Sequence, residues 1–185
     1  MRRKLYPFVV FLISQFLILN VQAQSISEKA DTVEVIPQFK NFYHYQNFYI
    51  TGQPTLEALK WLKSRGVSKI INLRTEKEMA EYAESAYNEK AVVQEMGFKY
   101  ILLPVEGIKG YTPENLKKFN RLLSKNEKIL IHCHSARRAM DFFAGYLIED
   151  RGYSVNTIKE IDKRGILLLP LERLLGKEIE LKIKK

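Results

Sequence analysis

Three short apolar runs, separated by stretches with helical spacing, constrain the fold of this chain more than any other feature. The runs are V-S-K-I-I-N-L at 67–73, F-K-Y-I-L-L-P-V at 98–105 and K-I-L-I-H at 128–132. Continuously apolar runs of this length are typical of strands covered on both faces, as in parallel sheets. Parallel neighbours need long crossover connections, and helical segments lie between these runs. The pattern therefore predicts an α/β layered sandwich with a central, mostly parallel sheet flanked by helices.

Capping residues mark where the predicted helices begin. A threonine precedes each of three helical stretches, where its hydroxyl can accept a hydrogen bond from the first turn. The second threonine opens a capping box, and the third is followed by proline, which suits the first helical position. Helices are expected after Thr55, after Thr75 as far as Met96, after Thr112, and over 136–150, 155–164 and 166–175.

The first 23 residues have the features of a secretory signal peptide. A basic start, M-R-R-K, precedes an apolar stretch over 5–21, and Val21-Gln22-Ala23 offers small residues for cleavage after Ala23. The alternative is an uncleaved membrane anchor, for which the stretch is at the short limit. We expect export to the periplasm or secretion, with no stable membrane span after cleavage.

The rest of the chain divides into three parts. Residues 24–47 form a lead-in and an aromatic hairpin, with extended segments expected at 33–36 and 48–51. Residues 48–175 form the main domain, and 176–185 form a charged tail. The absence of repeats or low-complexity tracts fits a single globular domain.

Charge and residue counts exclude several classes of function. Removing Arg2, Arg3 and Lys4 with the signal peptide leaves 27 basic and 21 acidic residues, a formal charge of +6. This mild excess favours anionic partners, but no aromatic-basic pattern indicates nucleic acid. One cysteine cannot form an internal disulfide, and three histidines give no clear metal site. We therefore expect no metal and no cofactor.

The single cysteine lies where the last apolar run meets a helix, in I-H-C-H-S-A-R-R-A-M at 131–140. It is either buried and inert or kept because its thiol is used. Backbone N–H groups of a loop that leads into a helix point inward and form an anion-binding cradle. A cysteine in such a loop reacts as a thiolate, and an arginine at the rim clamps an oxyanion. Cys133 is thus a candidate nucleophile, and Arg138 a candidate anion clamp.

The segment His132-Cys133, followed by an arginine after an apolar strand, resembles the cysteine-dependent protein tyrosine and dual-specificity phosphatases. Upstream, T-G-Q-P-T-L-E-A-L-K-W-L-K-S-R-G-V-S-K-I-I-N-L-R resembles the β-lactamase hydrolase-like family of bacterial phosphatase-like domains, as do L-L-P-V and T-P-E-N-L. The resemblance covers residues from Phe48 to Tyr153. It implies a phosphatase-like domain at 48–175 with the fold of protein tyrosine phosphatases.

The loop itself departs from the phosphatase pattern, which has five residues between cysteine and arginine. Here Arg138 follows Cys133 after four residues, as in the loop Cys-Arg-Ser-Gly-x-Arg-Ser of the β-lactamase hydrolase-like family and in rhodanese sulfurtransferases. Ala136 stands where the family pattern has glycine, and no hydroxyl residue follows Arg138. No aspartate stands in the 104–111 region to protonate a leaving oxygen, where Glu106 is the only acid.

Three functions remain open on these residues. The first is sulfur transfer through a persulfide on Cys133, which is favoured narrowly because it needs no general acid. Its substrate would be a small anionic or sulfur-containing molecule. Hydrolysis of a phosphorylated substrate through a phosphocysteine is the second, with Glu106 as the acid. A non-catalytic anion-binding protein is the third.

The remaining site assignments follow the loop. The anion-binding set is His134, Ser135, Ala136, Arg137 and Arg138, although Arg137 could instead face solvent. By resemblance, His132 orients the loop through hydrogen bonds. Arg74 is either a second anion contact or part of a surface salt bridge, and Asp141 and Asp162 are interpreted as acids on helix faces.

Overall fold

The computed structural model describes residues 33–161 and 168–179. The predicted signal peptide at 1–23, the lead-in before residue 33, Asp162 and the last six residues of the tail lie outside this range. Within the described residues, no helix is both long enough and apolar enough to cross a membrane.

Six strands and seven α-helices make up the described chain. The strands are β1 (Glu34–Val35), β2 (Phe42–Tyr45), β3 (Phe48–Thr51), β4 (Lys69–Asn72), β5 (Lys99–Leu102) and β6 (Ile129–His132). The helices are α1 (Leu56–Ser64), α2 (Glu76–Ser85), α3 (Glu89–Glu95), α4 (Pro113–Asn120), α5 (Arg137–Glu149), α6 (Val155–Ile161) and α7 (Leu168–Leu175). A short 3₁₀ helix spans Gly107–Gly110.

All six strands form one sheet in the order β1-β2-β3-β6-β4-β5. Strands β3, β6, β4 and β5 run parallel, and β1 and β2 add antiparallel to the β3 edge. The predicted α/β fold with a mostly parallel central sheet is confirmed. The register aligns Thr51, His132 and Asn72 at the carboxyl ends of three adjacent strands. This edge is where ligands of open α/β sheets bind.

The sheet is covered on both faces, which explains why its inner strands are apolar throughout. Successive residues of β6 point to opposite faces, so Ile131 belongs to one core and Leu130 to the other. The first core contains residues of α4, α5, α6 and α7. The second contains residues of α1 and α3. The result is a three-layer sandwich, with the β6–α5 connection at the carboxyl edge of its sheet.

The threonine caps occupy the positions that the sequence predicts. The hydroxyls of Thr55, Thr75 and Thr112 accept hydrogen bonds from backbone N–H groups three residues later, at 3.1–3.2 Å. The capping box is complete, because the side chain of Glu78 also accepts a bond from the backbone N–H of Thr75. Glu78 is thereby fixed beside the carboxyl ends of the strands.

The prediction of one continuous helix from Thr75 to Met96 is wrong. The chain leaves α2 at Ala86, and the side chain of Asn88 caps a second helix by accepting from the Ala91 N–H at 3.1 Å. Asparagine is a strong N-cap, and its preference overrides the helical spacing of the flanking residues. This break places Glu89, the first residue of α3, inside the protein.

The aromatic stretch forms a hairpin, as expected, between β2 and β3. Its inner strand is continuous with the main sheet, because β3 pairs in parallel with β6. Phe42, Tyr49 and Trp61 pack edge to face against one another, which attaches the hairpin to α1.

Candidate active site

The cysteine loop spans residues 133–136, between the end of β6 and the start of α5. The N–H of Cys133 donates to the carbonyl of Thr51 at 3.3 Å, and the N–H of Gln53 donates to the carbonyl of His134 at 3.0 Å. Gly52 pairs with Ser135 as an isolated β-bridge. The segment Thr51-Gly52-Gln53 therefore supports one side of the loop and fixes its height above the sheet.

Gly52 is required by this close approach. A Cβ atom at this position would lie 2.9 Å from the backbone oxygen of His134 and 3.4 Å from the Cα of Ser135. Both neighbours are backbone atoms, which cannot rotate away.

A Gly52→Ala variant is expected to be destabilised by about 1–3 kcal/mol, because the added methyl group overpacks a rigid contact. The measurement is the free energy of unfolding from urea denaturation at a fixed pH. A change smaller than about 0.5 kcal/mol, the usual range for harmless substitutions, would contradict the assigned loop support.

Ala136 carries backbone strain at the turn into α5. Its φ is +70° and its ψ is −10°, the left-handed conformation that costs a non-glycine residue about 1–2 kcal/mol. The related families have glycine in this place, and the alanine adopts the glycine conformation all the same. Strain of this kind persists where the surrounding structure holds it, often at a functional loop.

Arg138 is held across the mouth of the loop by three elements. Its Nη1 donates to the carbonyl of Leu73 at 3.1 Å and to the carbonyl of Val105 at 2.8 Å. Its Nη1 and Nη2 also donate to the two carboxylate oxygens of Glu78, at 2.9 and 2.5 Å. A two-point ion pair fixes the plane of the guanidinium.

This pairing leaves one edge of Arg138 for an anion. Glu78 takes the end-on edge, which Nη1 and Nη2 form. The hydrogen bonds among the described residues do not use the Nε–H or the second Nη2–H, which together form the side-on edge. Two parallel N–H donors in one plane match a phosphate or sulfate oxyanion.

Both partners of this pair stay charged. Burial alone would raise the pKa of Glu78, but hydrogen bonds from Arg138 and the Thr75 backbone, with the charge of Arg138, lower it from 4.5 to about 2. Burial would lower the pKa of Arg138, but the hydrogen bonds and charge of Glu78, and then the charge of Cys133, raise it. The guanidinium therefore lies within electrostatic reach of the thiol.

A cleft of about 560 Å³ opens beside Arg138. Its polar walls include Glu106, which is exposed just before the 3₁₀ helix. Ile108 and Pro170 supply apolar walls. Cys133 does not line the cleft: its side chain is 1% exposed and packs with the first core. The cleft therefore reaches the site at Arg138, in the first turn of α5 just after the loop.

One wall of the cleft is a buried polar pair, Asp141 and Tyr111. Asp141 is 8% exposed and accepts a hydrogen bond from the Tyr111 hydroxyl at 3.0 Å. Burial, and then the charge of Asp141, raise the pKa of Tyr111. The Nε of Arg137 lies 3.1 Å from Asp141, one helical turn away. Asp141 lies on helix α5, as interpreted, but its carboxylate is buried and pairs with Arg137, which keeps part of its side chain in solvent.

The other predicted loop residues lie at the carboxyl edge of the sheet in different environments. His134 and Ser135 are exposed on the loop surface, and Ala136 is buried beneath them. His132 is buried, with its Nε2 2.9 Å from the carboxylate of Glu89.

Arg74 is 6% exposed, so a surface salt bridge is wrong for this residue. Its side chain donates to the Gln53 side-chain oxygen at 2.6 Å and to the Glu78 carbonyl at 2.9 Å. It is therefore buried between Gln53 and Glu78 and holds the backbone carbonyl of Glu78.

The fold and this loop together define a class of protein. A parallel sheet that carries a cysteine-to-arginine loop at the start of its central helix is the arrangement of the protein tyrosine phosphatase superfamily, and the protein is phosphatase-like. A protein-family model described as "DSP-PTPase phosphatase fused to NAD+ Kinase" matches residues 24–163, and the chain belongs to this family.

Relatives and solved structures agree with this assignment. β-Lactamase hydrolase-like proteins from two strains of Xylella fastidiosa are 31% identical over 96 residues, which is 51% of this chain but only 22% of theirs. A putative phosphatase (DUF442) from Shewanella putrefaciens has a TM-score of 0.59 at 18% identity and covers 76% of this chain and 92% of its own. Pseudomonas aeruginosa TpbA has a TM-score of 0.62 at 15% identity, with 82% and 94% covered. At these identities the two structures show the shared fold.

Proposed function

We propose that the protein hydrolyses a phosphate monoester through a phosphocysteine at Cys133. The observation that carries the proposal is the orientation of Arg138, whose end-on edge is bound to Glu78 while its side-on edge remains for an oxyanion. Membership of a phosphatase family supports the same chemistry. A structure of a TpbA variant in complex with phosphotyrosine supports a phosphorylated substrate. A signal peptide at 1–23 would deliver this activity to the periplasm.

The reaction would proceed in two displacements. The thiolate of Cys133 attacks phosphorus, the bond from phosphorus to the ester oxygen breaks, and that oxygen takes a proton from Glu106. Water then gives a proton back to Glu106 and attacks the phosphocysteine, so that phosphate and the thiolate are released. Arg138 and the loop N–H groups stabilise the charge on the transferring group in both steps. The supporting observation for Glu106 is that it lines the same cleft as Arg138.

Sulfur transfer, which the sequence favoured narrowly, becomes the second candidate. Its support is the four-residue spacing from Cys133 to Arg138 and the lack of aspartate at 104–111. The spacing does not distinguish sulfur transfer from phosphate hydrolysis, because the loop of the β-lactamase hydrolase-like family has the same spacing. Comparisons with known proteins lend sulfur transfer no support. The lack of an aspartate at 104–111 is also a weak argument, because Glu106 lies in this region and is the proton donor of the proposed reaction.

The two chemistries leave different adducts on the only cysteine of the chain. We expect intact mass spectrometry, after acid quenching of a reaction with an aryl phosphate, to show one phosphoryl group on the wild type and none on Cys133→Ser. Phosphate release should be lost with the adduct. A sulfur adduct from thiosulfate, without any phosphoryl adduct or phosphate release, would contradict the proposal in favour of sulfur transfer. Stabilisation by phosphate without either adduct would contradict it in favour of anion binding alone.

A further inference from the structure

A buried hydroxyl in the wall of the cleft has no part in the mechanism above. Tyr111 lines the cleft together with Glu106 and Arg138, and its exposed fraction is 8%. Its hydroxyl donates to the carboxylate of Asp141 at 3.0 Å. Its ring packs edge to face against Phe142, so the ring and the hydroxyl are both held in place.

Tyr111 and Glu106 stand at the two ends of one short loop, the 3₁₀ helix Gly107–Gly110. The N–H of Gly110 donates to the carbonyl of Glu106 at 3.0 Å, which closes the loop on itself. The closure is tight, because a Cβ atom at Gly110 would lie 2.8–3.0 Å from atoms of Val105. The closed loop therefore keeps Glu106 and Tyr111 together in the wall of one cleft.

The hydrogen bond to Asp141 fixes what the Tyr111 hydroxyl can do in the cleft. Its single proton is given to a carboxylate that also pairs with Arg137. Burial, and then the charge and hydrogen bond of Asp141, raise the pKa of Tyr111, so the phenol keeps this proton near neutral pH. The phenol oxygen still has lone pairs, and toward any group in the cleft it acts as an acceptor.

Tyr111 also lies near the groups that hold the phosphoryl group in the proposed reaction. The charges of Cys133 and Arg138 both act on the pKa of Tyr111, although less than burial and Asp141 do. Tyr111 acts in turn on the pKa of Arg138. Because such effects weaken with distance, Tyr111 is within electrostatic reach of both residues.

The second displacement needs two acceptors on the cleft side. The attacking water must direct a lone pair at phosphorus, so its two O–H groups must point to other partners. One partner takes a proton as general base, and Glu106 has this role in the mechanism above. The second partner only has to accept a hydrogen bond, which is the property that Asp141 imposes on Tyr111.

We propose that Tyr111 is a catalytic residue of the second step, which orients the attacking water by accepting one of its hydrogen bonds. The water oxygen bonds to phosphorus, and the bond from phosphorus to the sulfur of Cys133 breaks with its electron pair on sulfur. One water proton passes to the carboxylate of Glu106, and the other stays on the released phosphate. Asp141 is a positioning residue, because it keeps the Tyr111 oxygen an acceptor. The inference rests on the proposed function, because it requires a phosphocysteine.

Single-turnover rapid quench with an activated aryl phosphate tests this role, because it separates formation of the phosphocysteine from its decay. Intact mass after acid quenching follows the adduct through time. Tyr111→Phe should slow the decay roughly tenfold, the scale of one lost hydrogen bond to a reacting group. Formation of the adduct should change by less than about twofold, because no water takes part in the first step. A role of Tyr111 in support of the fold alone would slow both steps.

Two further variants frame this result. Tyr153→Phe removes a bonded tyrosine hydroxyl beyond the other end of α5, where it lies 3.0 Å from the Tyr45 hydroxyl, and should leave both steps unchanged. In Asp141→Asn the new amide can donate to Tyr111 as well as accept, so the decay should slow by about threefold. Unfolding curves establish that each variant is folded. If Tyr111→Phe does not fold, Asp141→Asn carries the test.

The proposal is overturned if folded Tyr111→Phe, or Asp141→Asn where the first does not fold, loses its phosphoryl group as fast as the wild type. It is equally overturned if formation of the adduct slows as much as its decay. A wild type that forms no phosphocysteine would overturn the proposed hydrolysis and this inference with it. A wild type that forms the adduct, beside a variant with unchanged decay, would overturn this inference alone.

Discussion

Arg138→Lys is expected to lower kcat/KM toward a phosphate ester by about 10³-fold, the scale of removing a transition-state charge clamp. The guanidinium uses one edge for Glu78 and keeps the other for the anion. A lysine ammonium is a point charge and cannot hold both partners in one plane. In the variant, Glu78 should bind the ammonium, and the anion should lose its two parallel donors.

Arg137→Lys is the matched comparison, since it makes the same exchange one residue earlier on the same helix. Arg137 faces Asp141 at 3.1 Å, so we expect a loss below about tenfold. Both proteins should be compared for unfolding with and without phosphate, because ligand binding to the native state raises its stability. Equal losses in the two variants would show that the side-on edge of Arg138 has no special role.

The sequence predicts the sheet and the loop because both depend on local patterns. The apolar runs fix the inner strands, and threonine caps fix three helix starts. Placing Cys133 at the carboxyl end of a parallel strand requires only the order of strand and helix along the chain. The attachment of the β2–β3 hairpin to this sheet depends on the long-range pairing of β3 with β6, which no local pattern shows.

The partners of the loop are missed because they come from distant segments. Glu78 is visible in the sequence only as the end of a capping box, although it also binds Arg138, sixty residues later. Glu89 looks like an exposed acid within a long helix. It is buried because Asn88 starts a new helix and turns the chain inward. In both cases a signal for helix capping lies at or beside a side chain that contacts a residue next to the loop.

Asp141 is missed for a different reason. Helix α5 is buried on every side from Ala139 to Leu147, so its sequence has no polar face that would tell an exposed acid from a buried one. The hydroxyl of Tyr111, thirty residues earlier, satisfies its charge and allows its burial. A buried carboxylate with a committed partner differs chemically from an exposed one, and this difference separates Asp141 from Glu106, which line the same cleft.

Glu106→Gln is expected to lower turnover of an alkyl phosphate by about 10²–10⁴-fold, because the leaving alkoxide then departs without a proton. An aryl phosphate with a good leaving group needs little protonation and should lose much less. Glu106 is the candidate donor because it is exposed in the cleft, whereas Asp141 is held by Tyr111 and Arg137. The measurement is the dependence of kcat/KM on leaving-group acidity, which should be steeper in Glu106→Gln than in the wild type. Asp141→Asn should keep the leaving-group dependence of the wild type, because any loss of activity is equal on both esters. A steeper dependence in Asp141→Asn, with none in Glu106→Gln, would transfer the role of proton donor to Asp141.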